Sequence, residues 1–202
     1  VALPGWEGDD ILGTVAARDE ELGYRTLLVT GDKDAYQLAS DLTKIVTTKR
    51  GITDVVIYGP EEVEERYGVT PDQFTDFLGL KGDKADNIPG VPGIGDKKAA
   101  SMLQAYGNLE GIYANLDKFK GKQLENLTNY KDDAFLSRQV ATIVRDADFE
   151  LDLESISFPN FNVEQVTEAF TDVRMMAHLA KILKLQGSEA ASIDLGSWDN
   201  FI

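Results

Sequence analysis

Residues 25–34 read RTLLVTGDKD: an apolar run, a glycine, and two carboxylates a residue apart. A compact apolar stretch of this kind reads as a buried strand, and the glycine with its acids reads as the turn at its carboxyl end. Just upstream, DDILGTVAARDEELG (9–23) places Ile11, Leu12, Val15, Ala16 and Leu22 on one helical face, with Gly23 as the stop. Downstream, a short helix is expected around Ala35 to Ala39, and KIVTT (44–48) and DVVIY (54–58) read as two more strands. Helix, buried strand and acids at the strand's carboxyl end predict an α/β fold with a partial parallel sheet and flanking helices. Sites of such sheets gather at that edge.

After Gly59 the pattern turns helical. PEEVEERYG (60–68) and PDQFTDFLGL (71–80) each open on proline and end near glycine. GDKKAASMLQAYG (95–107), NLEGIYANL (108–116), DDAFLSRQVATIV (132–144), NVEQVTEAF (162–170) and MMAHLAKIL (175–183) continue the series. The expected division is an α/β part (1–59), a helical part (60–186) and a small, polar, linker-like tail (187–202) with Trp198 and Phe201 near its end. No internal repeat or low-complexity tract is visible.

The chain has no cysteine, which excludes disulfides and thiolate metal sites. That suits a reducing cytoplasm, and neither an export signal nor a membrane span is readable, so a soluble cytoplasmic protein without a membrane partner is expected. The 202 residues carry a formal charge of -15, which on its own argues against a nucleic-acid partner. The distribution is uneven: between Lys81 and Lys122 seven lysines (81, 84, 97, 98, 118, 120, 122) face five acids (83, 86, 96, 110, 117), so this stretch is +2.

Three acidic clusters stand out: Glu7, Asp9 and Asp10; Asp32 and Asp34; Asp83 and Asp86. The first could simply cap a helix, GDKD could be only a turn, and GDKADN only a polar loop. Taken together, the spacings could turn several carboxylates toward one point at a sheet edge. With no cysteine and a single histidine, an ion there would be held by oxygen, which favours Mg²⁺ or Mn²⁺. Such a set suits a two-metal site for phosphodiester hydrolysis. A calcium EF-hand loop beginning at Asp32 is excluded, because Tyr36, Gln37 and Thr43 occupy positions that need an oxygen ligand, glycine and glutamate. The lone His178 is read as a partly buried or surface residue of a late apolar helix. Tyr24, Tyr36 and Tyr106 are read as packing residues.

GVPGIGDKKAASML (90–103) is the second sharp feature. Gly93 and Gly95 flank Ile94 just before a helix expected to begin near Asp96. Such glycines let a backbone approach closely, the helix start points amide hydrogens outward, and Lys97 and Lys98 add charge. That combination suits a nucleic-acid phosphate and would position DNA without reading its sequence. A dinucleotide-binding fingerprint is excluded: no strand precedes the loop, and Lys98 stands where the third glycine would be. The alternative is a plain tight turn between helices.

GWEGDDILGTVA, VTGDKDAYQL, the block from Gly59 to Leu103 and FLSRQVATI, in this order, resemble the 5′ nuclease (flap endonuclease-like) domain of bacterial DNA polymerase I. The likeness runs from about Pro4 to about Leu183. It implies a PIN-like nuclease core followed by a helix-hairpin-helix (helix–two-turn–helix-like) motif. In the family, acids matching Glu7, Asp9, Asp10, Asp32, Asp34, Asp83 and Asp86 hold two divalent metals, Mg²⁺ or Mn²⁺. Of these, Asp10, Asp32, Asp34 and Asp86 carry the catalytic role. The hairpin at Gly93, Ile94 and Gly95, with Lys97 and Lys98, would grip the duplex backbone, in many relatives with a bound potassium ion. The implied substrate is duplex DNA with a 5′ end or flap, and RNA primers, in a bacterial cytoplasm, beside polymerase domains on the same polypeptide. The resemblance lacks the family's amino-terminal strands, their further aspartates and the basic helical arch, so residues 1–202 alone are expected to be inactive. The rival reading is a duplex-DNA-binding module that uses the hairpin without chemistry.

Overall fold

The computed structural model of the chain describes residues 3–50, 54–152 and 161–186. Packing divides the chain into two compact units, residues 1–147 and 148–202.

The first unit opens with helix α1 (Gly8–Glu21), followed by strands β1 (Thr26–Val29), β2 (Thr43–Arg50) and β3 (Asp54–Tyr58). The sheet order is β1-β2-β3. β1 and β2 run parallel, with Val29 opposite Val46, whereas β2 and β3 are antiparallel, with Ile45 opposite Tyr58. The sheet is therefore mixed, and the parallel expectation holds for one pair. A parallel return needs a crossover of roughly a dozen residues or more. Only residues 51–53 separate β2 from β3.

The buried face of α1 also differs from the expected one. It consists of Gly13, Thr14 and Ala16, while Leu22 is 64% exposed. The reason is the segment 143–147, which lies directly on that face. A Cβ at Gly13 would stand 2.6 Å from Ile143 Cγ2 and 2.9 Å from the Val144 carbonyl. Thr14 Oγ1 accepts from the Ala147 amide at 3.0 Å, and Arg18 donates to the Ala147 carbonyl at 2.9 Å. Only small or polar residues fit such a backbone contact.

Helices α2 (Pro60–Tyr67), α3 (Phe74–Lys81), α4 (Asp96–Tyr106), α5 (Leu109–Ala114), α6 (Gly121–Asn129) and α7 (Lys131–Ala141) complete the unit. The starts of the first two are written in the sequence. The Gly59 amide donates to Glu62 at 2.7 Å, and the Thr70 amide, ahead of a short 3₁₀ turn, donates to Gln73 at 3.2 Å. Gly68 ends α2 at φ 72°. α6 has no counterpart among the expected helices, since GKQLENLTN offers only Leu124 and Leu127 as apolar anchors. α7 stops at Ala141, three residues before the expected end at Val144.

An aromatic cluster joins the sheet to the helices. Tyr36 stands 4.8 Å from Tyr58 and 5.6 Å from Phe74 between ring centroids, and Phe74 stands 5.7 Å from Phe77. The α/β part and the helices after Gly59 thus share one core within this unit. Tyr106 packs on Phe119 at 5.5 Å, but Tyr24 is 56% exposed and packs no core. α7 crosses α3 at Gly79, where a Cβ would meet the Ala134 carbonyl at 2.8 Å. Beside this crossing Arg138 binds Asp76 at 3.0 Å and Glu110 at 2.8 Å. Burial pushes the Asp76 carboxyl up, against the pull of Arg138.

The second unit holds α8 (Val163–Asp172), capped by Asn162 accepting from the Gln165 amide at 3.0 Å, and α9 (Met176–Gln186). Leu179 is buried, and His178 lies on the surface. The tail expected at 187–202, with Trp198 and Phe201, lies outside the described residues. Among the described residues no helix is long and apolar enough to cross a membrane.

Candidate metal centre and nucleic-acid interface

The parallel pair delivers GDKD to the carboxyl edge of the sheet. The Thr30 amide still donates to Val46 at 3.1 Å, extending the ladder by one residue beyond β1. The chain then turns: the Asp32 amide donates to Thr30 Oγ1 at 3.0 Å, and the Asp34 amide donates to Asp32 Oδ1 at 2.9 Å. A 3₁₀ turn, Asp34–Leu38, follows, anchored by buried Ala35, Tyr36 and Leu38. Gln37 clamps this turn from the other side. Its amide nitrogen donates to the Asp34 carbonyl at 2.9 Å and the Ala141 carbonyl at 2.8 Å, and its oxygen accepts from the Ile143 amide at 2.9 Å. Gln37 is a positioning residue that carries no sequence signal beyond its place after GDKD.

The acids of GWEGDD divide between two tasks. Asp10 Oδ2 accepts from the Glu7 amide at 3.2 Å, closing a helix cap, while its Oδ1 accepts from the Val144 amide at 2.9 Å. Both of its oxygens thus hold backbone, tying the start of α1 to the segment after α7. Asp10 makes the cap contact expected of an acid at this position. Glu7 lies exposed at the cap position, and Asp9 is half-buried.

GDKADN forms a closed hairpin. Asp83 and Ile88 exchange backbone hydrogen bonds at 2.9 and 2.7 Å, and the Ala85 amide donates to Asp83 Oδ1 at 2.8 Å. Two glycines make room at its base. A Cβ on Gly90 (φ +59°) would sit 2.2 Å from the Gly82 nitrogen, and one on Gly82 (φ +73°) 2.6 Å from the Ile88 carbonyl. Asp83 and Asp86 are therefore presented by a backbone crossing that only glycine permits.

Electrostatics brings the clusters together. Burial, followed by the charges of Asp32, Asp86, Asp83 and Asp9, pushes the Asp34 carboxyl up to about 7. Burial and then Asp32, Glu7, Asp10 and Asp86 also raise Asp9. Asp34 Oδ1 is buried without a hydrogen-bond partner. Six aspartates and Glu7, from three parts of the chain, thus act on one another. Among the described residues, no three acidic or histidine side chains stand close enough together to grip one ion as they are. The donors converge on Asp34 without closing.

The second candidate region follows directly. The Ile94 amide donates to the Val91 carbonyl at 3.1 Å around Pro92 and Gly93 (φ +79°), the residue order of a type II turn. Asn126 of α6 holds the Pro92 carbonyl at 2.6 Å. The Ile94 side chain is buried, so only its backbone faces outward. Gly95 caps α4 at φ -109° with open space where a Cβ would be, so its smallness answers no internal constraint. Lys97 is exposed, and Lys98 is exposed but donates to the Gly93 carbonyl at 2.9 Å. Lys81, from the end of α3, pairs with Asp96 at 3.4 Å.

A sheet edge lined with carboxylates and joined to a glycine-turned helix pair defines a nuclease-type fold, and the comparisons agree. Residues 1–68 match the family model described as 5′-3′ exonuclease, N-terminal resolvase-like domain. Residues 69–164 match 5′-3′ exonuclease, C-terminal SAM fold. The chain belongs to the 5′-3′ exonuclease family.

Its relatives include the DNA polymerase I of Bacillus caldotenax, 44% identical over 181 residues, which are 89% of this chain and 21% of that protein. The DNA polymerase I of Geobacillus stearothermophilus is 46% identical over 181 residues, again 89% of this chain and 21% of that protein. The chain thus spans about a fifth of the length of these relatives. Among solved structures, the T5 5′-exonuclease with bound zinc ions superposes with a TM-score of 0.60 at 23% identity, covering 92% of this chain and 62% of that one. A bacteriophage T5 flap endonuclease, in a pseudo-enzyme-product complex with DNA and metal ions, gives 0.62 at 22% identity over 93% and 62%. These two show the shared fold.

Proposed function

We propose that this chain carries the carboxylate part of a metal-dependent 5′ nuclease, which hydrolyses phosphodiester bonds near 5′ ends or flaps of duplex DNA. The observation that carries this reading is Asp34, whose buried oxygen has no partner and whose carboxyl is raised to about 7 by burial and four neighbouring aspartates. Isolated in the protein, that arrangement is unfavourable. A divalent cation supplies the missing positive charge, and an all-oxygen donor set suits Mg²⁺ or Mn²⁺. Asp9, Asp32, Asp34, Asp83 and Asp86 would hold the ions, with Glu7 at the rim. When bound, an ion pair in such a site activates water and stabilises the leaving oxygen.

The chain's other residues position these donors and the substrate. Asp10 fixes α1 through two backbone amides, and Gln37 fixes the Asp34 turn. We assign Asp10 to this holding role rather than to the metal. The turn at Gly93 to Gly95 and the start of α4, with Lys97, would grip the backbone of the duplex as a helix-hairpin-helix. A potassium ion at this turn would compete with Lys98 for the Gly93 carbonyl. The kinship to DNA polymerase I supports a role in primer removal and repair beside polymerase domains, in a bacterial cytoplasm.

Residues 1–202 alone are expected to cleave weakly or not at all, because among the described residues no three acidic side chains grip one ion as they stand. The test separates binding from chemistry. In metal-free buffer, Gly93→Asp should weaken binding to a 5′-flap duplex and Asp32→Ala should not. Unchanged binding by Gly93→Asp would remove the hairpin from the account. Strong Mg²⁺-dependent cleavage by residues 1–202, lost on Asp32→Ala, would keep the nuclease but overturn the need for further ligands. Duplex binding without any response to divalent ions would favour the non-catalytic module.

A further inference from the structure

The carboxyl edge of the sheet carries a second polar hollow that the aspartates do not use. A cavity of about 500 Å³ is lined by Gly31, Lys33, Thr47, Thr48, Tyr58 and Arg66. Thr47 and Thr48 follow Val46, the partner of the last residue of β1, so they lie beyond the end of that strand. Gly31 and Lys33 flank Asp32 in sequence. The hollow and the acidic cluster therefore share one loop, and two cations, Lys33 and Arg66, border the hollow.

Arg66 is held in an unusual way. Its guanidinium carbon stands 5.1 Å from the Tyr58 ring centroid and 5.2 Å from that of Tyr67, and it donates a hydrogen bond to the Tyr58 hydroxyl. None of the ion pairs among the described residues involves Arg66 or Lys33. The two rings and the hydroxyl thus fix the guanidinium in place without neutralising it, and most of its five N–H donors stay available. No carboxylate lines the hollow, although the chain carries a net charge of -15. A pre-positioned guanidinium and an ammonium around one cavity, with a threonine strand edge beside them, match a tetrahedral oxyanion.

The geometry points to this hollow as a phosphate subsite, in which Arg66 and Lys33 hold a phosphate of the nucleic-acid strand that reaches the Asp34 cluster. Arg66 also lines a second cavity, of about 650 Å³, with Asp96 and Lys97 at the start of α4 and Gln104 in its last turn. One fixed cation therefore borders both the hollow at the sheet edge and the groove at the hairpin helix. A strand lying along that path would meet Lys97, Arg66 and Lys33. This assignment rests on the nuclease reading. It adds a contact for positioning the strand, outside the metal ligands and the glycine turn. The phosphate could be an internal phosphodiester or a 5′-terminal monoester, which share the same oxygen geometry.

The test measures affinity of residues 1–202 for a 5′-flap duplex in EDTA across a salt series, with and without a 5′-phosphate. Lys33→Gln and Arg66→Gln should each weaken binding roughly 5-fold and lower the salt slope by about one. Arg66→Lys keeps the charge and covers the case in which Arg66→Gln disturbs the tyrosines. It should keep the slope while losing affinity about 2-fold, as expected if a fork of donors matters. Losses equal on both duplexes assign an internal phosphate, and losses confined to the 5′-phosphorylated duplex assign the terminal one. Folded Lys33→Gln and Arg66→Lys proteins with wild-type affinity and slope, beside a weakened Lys97→Gln, would overturn the subsite and leave the nuclease reading standing. No duplex binding by the wild type would bring down both.

Discussion

The loop at Asp32 to Asp34 and the loop at Gly82 to Gly95 both present functional residues, and they are built on opposite principles. In the second, the backbone crossings are satisfied: Asp83 pairs with Ile88, Asn126 holds Pro92, and Gly82 and Gly90 stand where a Cβ would collide. In the first, the backbone is equally well tied, by Thr30, Asp32 and Gln37, but the side chains are not. Asp34 ends in a buried, unpartnered oxygen surrounded by like charge. One loop satisfies its own polar groups, while the other leaves a carboxylate oxygen unpaired among like charges. The difference separates a scaffold from a site: strain removed by glycine serves shape, and strain left in charge serves a ligand.

Substitutions can break the comparison at either end. The largest effect is expected from Gly90→Ala. A Cβ 2.2 Å from the Gly82 nitrogen, at φ +59°, leaves no room without moving the hairpin. It should cost about 3 kcal/mol and lower Tm by roughly 10 °C, read by thermal denaturation. Retained stability would mean that the loop is more tolerant than its geometry implies. Next is Asp10→Ala, which orphans the Glu7 and Val144 amides and should cost about 2 kcal/mol. Asp10→Asn, which can still accept one of these bonds, should recover part of the loss.

Asp34→Asn should act in the opposite direction. In metal-free protein the Asp34 carboxyl is raised from 3.8 to about 7, so the folded state holds the extra proton between those values. Stability contributed by this group therefore falls as pH rises from about 4 to about 7, and the penalty is full above that. Asp34→Asn removes the penalty: Tm should rise by about 3 °C at pH 8, with little change near pH 4. Because Asp34 is only partly buried, solvent screens the repulsion and keeps the effect modest. A destabilised variant at pH 8 would contradict the charge account. The smallest effect should come from Gly95→Ala, which meets open space at an ordinary φ. Its stability should stay within about 0.5 kcal/mol of wild type, while duplex affinity falls if a phosphate needs the bare backbone.

The helices around the second loop were legible because their caps and stops are local: Pro60 with Glu62, Thr70 with Gln73, Gly68, and Gly95 before Asp96. The acidic clusters were legible as a set, and the structure brings Glu7, Asp9, Asp10, Asp32, Asp34, Asp83 and Asp86 within electrostatic reach of one another. What escaped was non-local. The buried face of α1 is Gly13, Thr14 and Ala16 because a segment some 130 residues later lies on it. No periodicity in the helix itself announces that partner. The second contact of Asp10 escaped for the same reason, since the Val144 amide is invisible from GWEGDD. β3 runs antiparallel because its connection to β2 is short, a constraint readable in the spacing but outweighed by the βα pattern around it. α6 has too few apolar residues to signal a helix and is placed by Leu127 and the Asn126 contact to Pro92. Arg66 carries no signal in PEEVEERYG; its setting between Tyr58 and Tyr67 depends on the fold.

We propose that the Asp34 cluster holds divalent cations and that Asp10 serves the start of α1 instead. Titrating Mn²⁺ into residues 1–202 at pH 8, followed by electron paramagnetic resonance, tests both parts at once. The account predicts saturable binding by the wild type, a loss of at least about 10-fold in affinity for Asp34→Asn, and near wild-type affinity for folded Asp10→Asn. Equal affinity in wild type and Asp34→Asn, or a loss in Asp10→Asn as large as that in Asp34→Asn, would contradict it.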